Sequence, residues 1–125
     1  MEKMLIEARE DSPFIMADAT TGIFEIKGKS LPEDAIQFYR PLEKYIEHYI
    51  KSPCQRTIFN LRLEYLNSSS AKKLVEIISQ VEKLPRAGYE VELNWYYREE
   101  DQEMLEEGEE FARMTDLKVN LLLER

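Results

Sequence analysis

The segment Tyr65-Leu66-Asn67-Ser68-Ser69-Ser70-Ala71-Lys72-Lys73 holds the densest set of reactive groups in this chain. Three consecutive hydroxyls and a carboxamide stand where a strand-like pattern gives way to a helix-like one. A helix start leaves its first N–H groups without partners, and an Asn or Ser oxygen there accepts from them. One capping residue suffices, yet four candidates are present. No Glu or Gln follows at the spacing that completes a capping box. Lys72 and Lys73 instead lie near the positive end of the helix dipole, where cations are disfavoured. An anion added here would meet backbone N–H groups, the dipole and two ammonium groups. A phosphoserine supplies such an anion. Two readings of the segment follow: a plain N-cap, or a phosphorylation site.

The remaining inventory is thin. The four glycines are isolated, so there is no Gly-rich phosphate loop. His48, the only histidine, falls among Tyr45, Ile46 and Tyr49 in a helical pattern and reads as structural or surface. Cys54 follows Pro53 in a connection and reads as a silent thiol; no nucleophile-elbow sequence supports a catalytic serine. Cys and His show no metal-ligand spacing. Eight acids fall between Glu99 and Glu110, but without the alternating Asp/Asn and central Gly of a calcium loop. They read as a solvated helix face that could dock a basic partner. No catalytic residue, metal ligand or cofactor site is assigned.

The elements that must hold the serine segment are legible from periodicity. Phe14–Ala17 and Ile23–Ile26 flank Asp18 to Gly22 as a hairpin. Pro32-Glu33-Asp34 opens a helix on which Ala35, Phe38, Tyr39, Leu42, Tyr45, Ile46, Tyr49 and Ile50 recur at helical spacing. Pro41 falls inside that pattern and is expected to kink or split it. Phe59, Leu61, Leu63 and Tyr65 then alternate with Asn60, Arg62 and Glu64 as a strand. Beyond the serines, Ala71, Leu74, Val75, Ile78 and Val81 share one helical face. Tyr89, Val91, Leu93, Trp95 and Tyr97 alternate as a second strand. A third helix from about Glu99 to Arg113 carries Met104, Leu105, Gly108, Phe111 and Ala112 on its apolar side, and Val119, Leu121 and Leu123 make a last strand.

The second half is therefore β-α-β-α-β, which gives parallel strands. Parallel strands sandwiched on both faces would read as continuous apolar runs. These alternate, with Arg62, Glu64, Glu90 and Glu92 on the far side. The expected fold is a two-layer α/β domain over residues 1–125. Its mixed sheet has five or six strands, with three main helices largely on one face.

Composition narrows the function classes. The chain has 125 residues, 43% hydrophobic and 34% charged, which suits one globular core. Its 17 basic and 25 acidic side chains leave a net charge of −8, which repels nucleic acid and anionic membranes. One cysteine excludes an internal disulfide and fits a reducing, cytoplasmic setting. Met1-Glu2-Lys3-Met4-Leu5 is no secretory signal, and no run approaches a membrane span. Neither a nucleic-acid partner nor membrane insertion is expected.

Leu66-Asn67-Ser68-Ser69, on its strand-loop-helix, resembles the phosphorylation loop of STAS-domain anti-sigma-factor antagonists. More closely, the chain resembles the SiaC-type bacterial regulatory phosphoproteins. Ser12-Pro13, Gly22, Gly28, Ser30 and Pro32-Glu33 look like that family's N-terminal pattern. Tyr65 to Ser70 look like its phosphoacceptor motif. Trp95-Tyr96-Tyr97, Asp101, Met104 and Gly108-Glu109-Glu110-Phe111 look like its C-terminal signature. Serine at 68, where the family often has threonine, keeps the hydroxyl; Asp34 stands where asparagine is common.

The resemblance implies a STAS-like fold and a non-enzymatic switch. A cognate Ser/Thr kinase would phosphorylate Ser68, and a metal-dependent phosphatase of the PP2C type would reverse it. The unphosphorylated form would bind a GGDEF diguanylate cyclase and promote cyclic-di-GMP synthesis, and so biofilm behaviour. Ser69 and Ser70 are secondary acceptor candidates. Tyr65, Leu66, Asn67, Lys72 and Lys73 are candidates for the partner surface. The competing reading is a small-ligand or anion-binding module, or an enzyme accessory domain, that uses the serine cluster as a helix N-terminal anion site.

Overall fold

Side chains that alternate with a period of two need a sheet with one buried face, and the computed structural model, described for residues 1–124, builds that sheet from six strands. In chain order the elements are β1 (Met4–Ile6), β2 (Phe14–Asp18), β3 (Ile23–Ser30), α1 (Ala35–Tyr49), β4 (Arg56–Leu66), α2 (Ser68–Ser79), β5 (Glu90–Tyr97), α3 (Gln102–Met114) and β6 (Val119–Leu123). A 3₁₀ turn at Pro85–Ala87 links α2 to β5. The strands lie side by side in their order along the chain. β1, β2 and β3 pair antiparallel; β3, β4, β5 and β6 pair parallel. Right-handed crossovers that always advance in one direction put their helices on the same face. That is why the domain has two layers, as the alternation predicts.

The buried face carries Ile15, Ala17, Phe24, Ile26, Phe59, Leu61, Leu63, Leu93 and Trp95 beneath the helices. α1 contributes Tyr39, Leu42, Ile46 and Tyr49, and α2 contributes Leu74, Ile77 and Ile78. Phe24 stacks on Phe59 with centroids 4.7 Å apart, and the Tyr49 ring meets it edge-on. The open face is polar but ordered. Asn60, Asn94 and Asn120 stand in register across β4, β5 and β6 and bond side chain to side chain at 2.9 and 3.0 Å. Beside them Arg62 lies 3.7 Å over the Tyr96 ring and pairs with Glu124 at 2.7 Å.

Three details depart from the periodicity reading. β1 is an added edge strand, too short for its alternation to be visible. Pro41 does not split the first helix, which runs unbroken from Ala35 to Tyr49. Pro41 and Gln37, whose carbonyl loses its helical partner, both face solvent, so water can satisfy that carbonyl. The helix itself starts at Ala35, capped by the Asp34 carboxylate, which accepts from the Gln37 N–H at 3.1 Å.

The third departure bears on the site. Gly28 pairs with Leu63 but Lys29 pairs with Tyr65, so Glu64 is an extra residue in β4. A bulge of this kind resets which face the side chains point to. Tyr65, expected beside Leu63 on the core side, is turned out and is 58% exposed, with Lys29 5.7 Å over its ring. Leu66, opposite buried Ser30, turns inward. Gly28 accommodates the irregularity at φ +114°, a region that side-chain-bearing residues avoid. Among the described residues, no helix is long and apolar enough to cross a membrane.

Candidate functional site

The serine segment forms the first turn of α2, immediately after the bulged end of β4. Asn67 is the N-cap. Its side-chain oxygen accepts from the Ser70 N–H at 2.9 Å and from the Ser69 hydroxyl at 3.2 Å. Its amide donates to the Pro32 carbonyl at 3.3 Å, and its backbone N–H donates to the Ser30 carbonyl at 3.1 Å. The end of β3 and the loop that follows it thus hold the serine turn through two bonds.

The three hydroxyls have three different fates. Ser68, the first residue of the helix, is exposed, and its hydroxyl has no hydrogen-bond partner among the described residues. The N–H groups of Ser68 and Ser69 likewise have no acceptor among those residues. Ser69 is exposed but its hydroxyl proton is committed to Asn67. Ser70 is wholly buried: the Ser30 hydroxyl donates to its oxygen at 2.8 Å, and Ser30 shares a hydrogen bond of 2.6 Å with the Tyr39 phenol. In the folded chain Ser70, a secondary acceptor candidate from the sequence, is therefore out of reach of another protein. Burial pushes the Tyr39 phenol up to about 12, against the smaller opposing effect of the Ser30 and Ser70 hydroxyls.

The two lysines part company as well. Lys72 is exposed and forms no ion pair among the described residues. Lys73 turns to α1, where it pairs with Glu43 at 2.9 Å, and it also meets Glu76 at 3.2 Å. These carboxylates, Glu43 foremost, raise its pKa. Lys73 joins two helices. The exposed apolar side chains nearest in sequence to the segments that build the loop are Tyr65, Leu31 and Ile36. Sequence reasoning missed Ser30 and Tyr39 as parts of this site. A signal existed for Tyr39: it sits on the apolar stripe of α1, and a buried phenol needs a polar partner.

An exposed serine hydroxyl at a helix N-terminus, beside free N–H groups, is suited to carry a phosphate. A model of SiaC family regulatory phosphoproteins matches residues 6–124. The chain belongs to the SiaC family. Its fold superposes on SiaC of Pseudomonas aeruginosa with a TM-score of 0.87, at 25% identity, over 99% of this chain and 100% of that one. It matches P. aeruginosa SiaC equally well in a crystal structure where SiaC, as activator, is in complex with the diguanylate cyclase SiaD. There the TM-score is 0.88, at 25% identity, over 97% and 99% of the two chains. An uncharacterized P. aeruginosa protein is 28% identical over 111 residues, 89% of this chain and 88% of its own length.

Several residues that carry the resemblance to the SiaC family turn out to do structural work. The Trp95 indole N–H donates to the Met104 carbonyl at 3.0 Å. Asp101 caps α3 by accepting from the Met104 N–H at 3.1 Å. A Cβ on Gly108 would lie 2.5 Å from the Trp95 ring, so only glycine lets α3 approach β5 this closely. Gly22 has φ +77°, and a Cβ there would meet the Arg56 carbonyl at 2.5 Å. His48 is exposed on α1, and the Cys54 thiol donates to the Ala19 carbonyl at 3.2 Å.

Proposed function

We propose that this chain is a non-enzymatic, phosphorylation-controlled activator of a GGDEF diguanylate cyclase, with Ser68 as its phosphoacceptor. A cognate Ser/Thr kinase modifies it and a PP2C-type phosphatase restores it. The reading is supported above all by the Ser68 hydroxyl, the one member of the serine run that is both exposed and free of partners among the described residues. Membership of a family of regulatory phosphoproteins, and the complex of P. aeruginosa SiaC with SiaD, supply the class of effector. Phosphoryl transfer from ATP forms the bond from Ser68 Oγ to the γ-phosphorus and breaks that phosphorus's bond to ADP. The hydroxyl proton passes to a base of the kinase.

Phosphorylation adds about −1.5 to −2 charges at pH 7. Free N–H groups and the helix dipole accommodate that charge in the isolated domain. A partner that covers Leu66 and the serine turn would have to bury a strongly hydrated dianion, at a cost of several kcal/mol unless a cation meets it. The unphosphorylated form is thus the binding form. Calorimetry with the cyclase tests this. Wild type and Ser68→Ala should bind alike, while the phosphoprotein and Ser68→Asp should bind at least about tenfold more weakly. Equal affinity for all four forms would reduce Ser68 to a helix residue and end the switch reading.

A further inference from the structure

We propose that Ser30, through its buried bond to Ser70, is a positioning residue that decides which hydroxyl of Ser68-Ser69-Ser70 receives the phosphoryl group. The inference rests on the reading of Ser68 as acceptor and explains how that residue is selected. Three hydroxyls in one helical turn have the same chemistry, so selection has to come from access and hydrogen bonding.

Ser30, Tyr39 and Ser70 each have 0% exposure. Their oxygens form a buried cluster, 2.8 Å from Ser70 to Ser30 and 2.6 Å from Ser30 to Tyr39, where β3, α1 and α2 meet. The cluster pins the third residue of α2. Residues two apart on an α-helix point about 200° away from each other. Anchoring Ser70 inward therefore directs Ser68 outward, and it fixes the rotation of the turn about its own axis. Ser69, about 100° from each, is left at the side with its proton on Asn67. Without the anchor, the turn is still held by the Asn67 cap and the Asn67 bonds to Ser30 and Pro32, but none of these ties acts on the side chain of Ser70.

Phosphate can reach Ser70 only from an opened first turn, in which Ser30 keeps its burial and its bond to Tyr39 but loses the acceptor of its own proton. Stranding a buried hydroxyl suppresses that opened state by about ten- to hundredfold. Removing the Ser30 hydroxyl lifts part of the suppression, because Ser30 is the group that donates to Ser70; removing the Tyr39 hydroxyl does not, because it leaves Ser70 as the one remaining partner of the Ser30 hydroxyl among the described residues. The chemistry of transfer is unchanged: the same O–P bond forms, on Ser69 or Ser70 instead, with ADP leaving and a proton released.

The test compares wild type, Tyr39→Phe and Ser30→Ala. Tyr39→Phe keeps the ring that packs edge-on against Phe38, so the fold is retained. Each chain is incubated with Mg·ATP and clarified extract of the source cell, and the phosphate is located by fragment mass spectrometry. Amide hydrogen exchange is measured in parallel without extract. Ser30→Ala should exchange the Ser70 and Ala71 amides about tenfold faster, and Tyr39→Phe should not. In Ser30→Ala the phosphate share on Ser69 plus Ser70 should rise at least about fivefold, while in Tyr39→Phe it should stay on Ser68. Gly108→Ala, a destabilising change at the α3–β5 contact, should leave phosphate on Ser68 and serves as the control for a merely structural effect. Wild-type phosphate away from Ser68 would refute the acceptor assignment, a separate failure. Unchanged exchange in Ser30→Ala, phosphate confined to Ser68 in Ser30→Ala, or equal redistribution in Gly108→Ala would each overturn the role given to Ser30.

Discussion

Replacing Gly108 by alanine adds one methyl group at the tightest contact between α3 and the sheet. The new Cβ would lie 2.5 Å from Trp95 Cδ1, 2.6 Å from Trp95 Nε1 and 2.9 Å from Leu121 Cδ2. Ordinary carbon contact begins near 3.5 Å, so α3 or the indole must move by about 1 Å. The indole cannot yield easily: Trp95 is 1% exposed, and its ring is packed against Phe111 with centroids 5.2 Å apart. If α3 moves instead, the 3.0 Å bond from the indole to the Met104 carbonyl stretches towards breaking. Overpacking costs about 1–3 kcal/mol. An unpartnered buried indole N–H costs about 1–3 kcal/mol more. Alanine returns about 1 kcal/mol of helix propensity. The net loss is therefore about 1–5 kcal/mol, and the middle of that range lowers Tm by roughly 10 °C in a domain of this size. Trp95 is the only tryptophan, so its fluorescence during urea or thermal unfolding reports from the altered contact. An alanine variant as stable as wild type, with unshifted indole emission, would refute the claim that this approach demands glycine.

Three further outcomes are expected. Ser68→Asp should melt within a few degrees of wild type and shift upward if at all, because an anion in the first turn contributes about 0.3–1 kcal/mol; differential scanning calorimetry decides it. Asn67→Ala removes the cap and the tie to Pro32 and should cost about 1–2 kcal/mol in urea unfolding, with Asn67→Asp retaining most of it. Tyr39 titrates near pH 10 when unfolded but only at about 12 when folded. Its contribution is complete below pH 10 and is lost as pH rises from about 10 to 12, by about 2–3 kcal/mol. In urea titrations at rising pH, the stability advantage of wild type over Tyr39→Phe should shrink across that window and stay constant below it.

Periodicity reveals as much of this molecule as one chain segment decides for itself. β4 is legible through Leu63 because each residue there simply alternates. Its last turn outward is not, because the bulge at Glu64 depends on the register against Gly28, almost forty residues earlier. The same limit separates Lys72 from Lys73. Both lie in the first turns of α2, but only the position of Glu43 on α1 decides which one is drawn away. Ser70 is different, for its burial was legible: it precedes Leu74 by four residues and so shares the apolar stripe of α2. A run of three serines hides this, since hydroxyls invite a reading as surface chemistry whichever way they point.

The magnitudes around Ser68 also decide what kind of switch this site can be. A phosphate at the start of α2 interacts with the helix by about 1 kcal/mol. Moving that helix would break the Ser70–Ser30 bond, the Asn67 cap and the Asn67 bonds to Ser30 and Pro32. Each contributes about 0.5–1.5 kcal/mol, and those to buried groups cost more when left unpaired. The Lys73–Glu43 pair between α1 and α2 adds a further tie. One kcal/mol of new interaction cannot overturn several kcal/mol of existing ones, least of all when it favours the helix as it stands. Under the proposed function, a phosphate on Ser68 would therefore be read from the surface that Ser68 shares with its neighbours, as a charge that a partner either tolerates or does not.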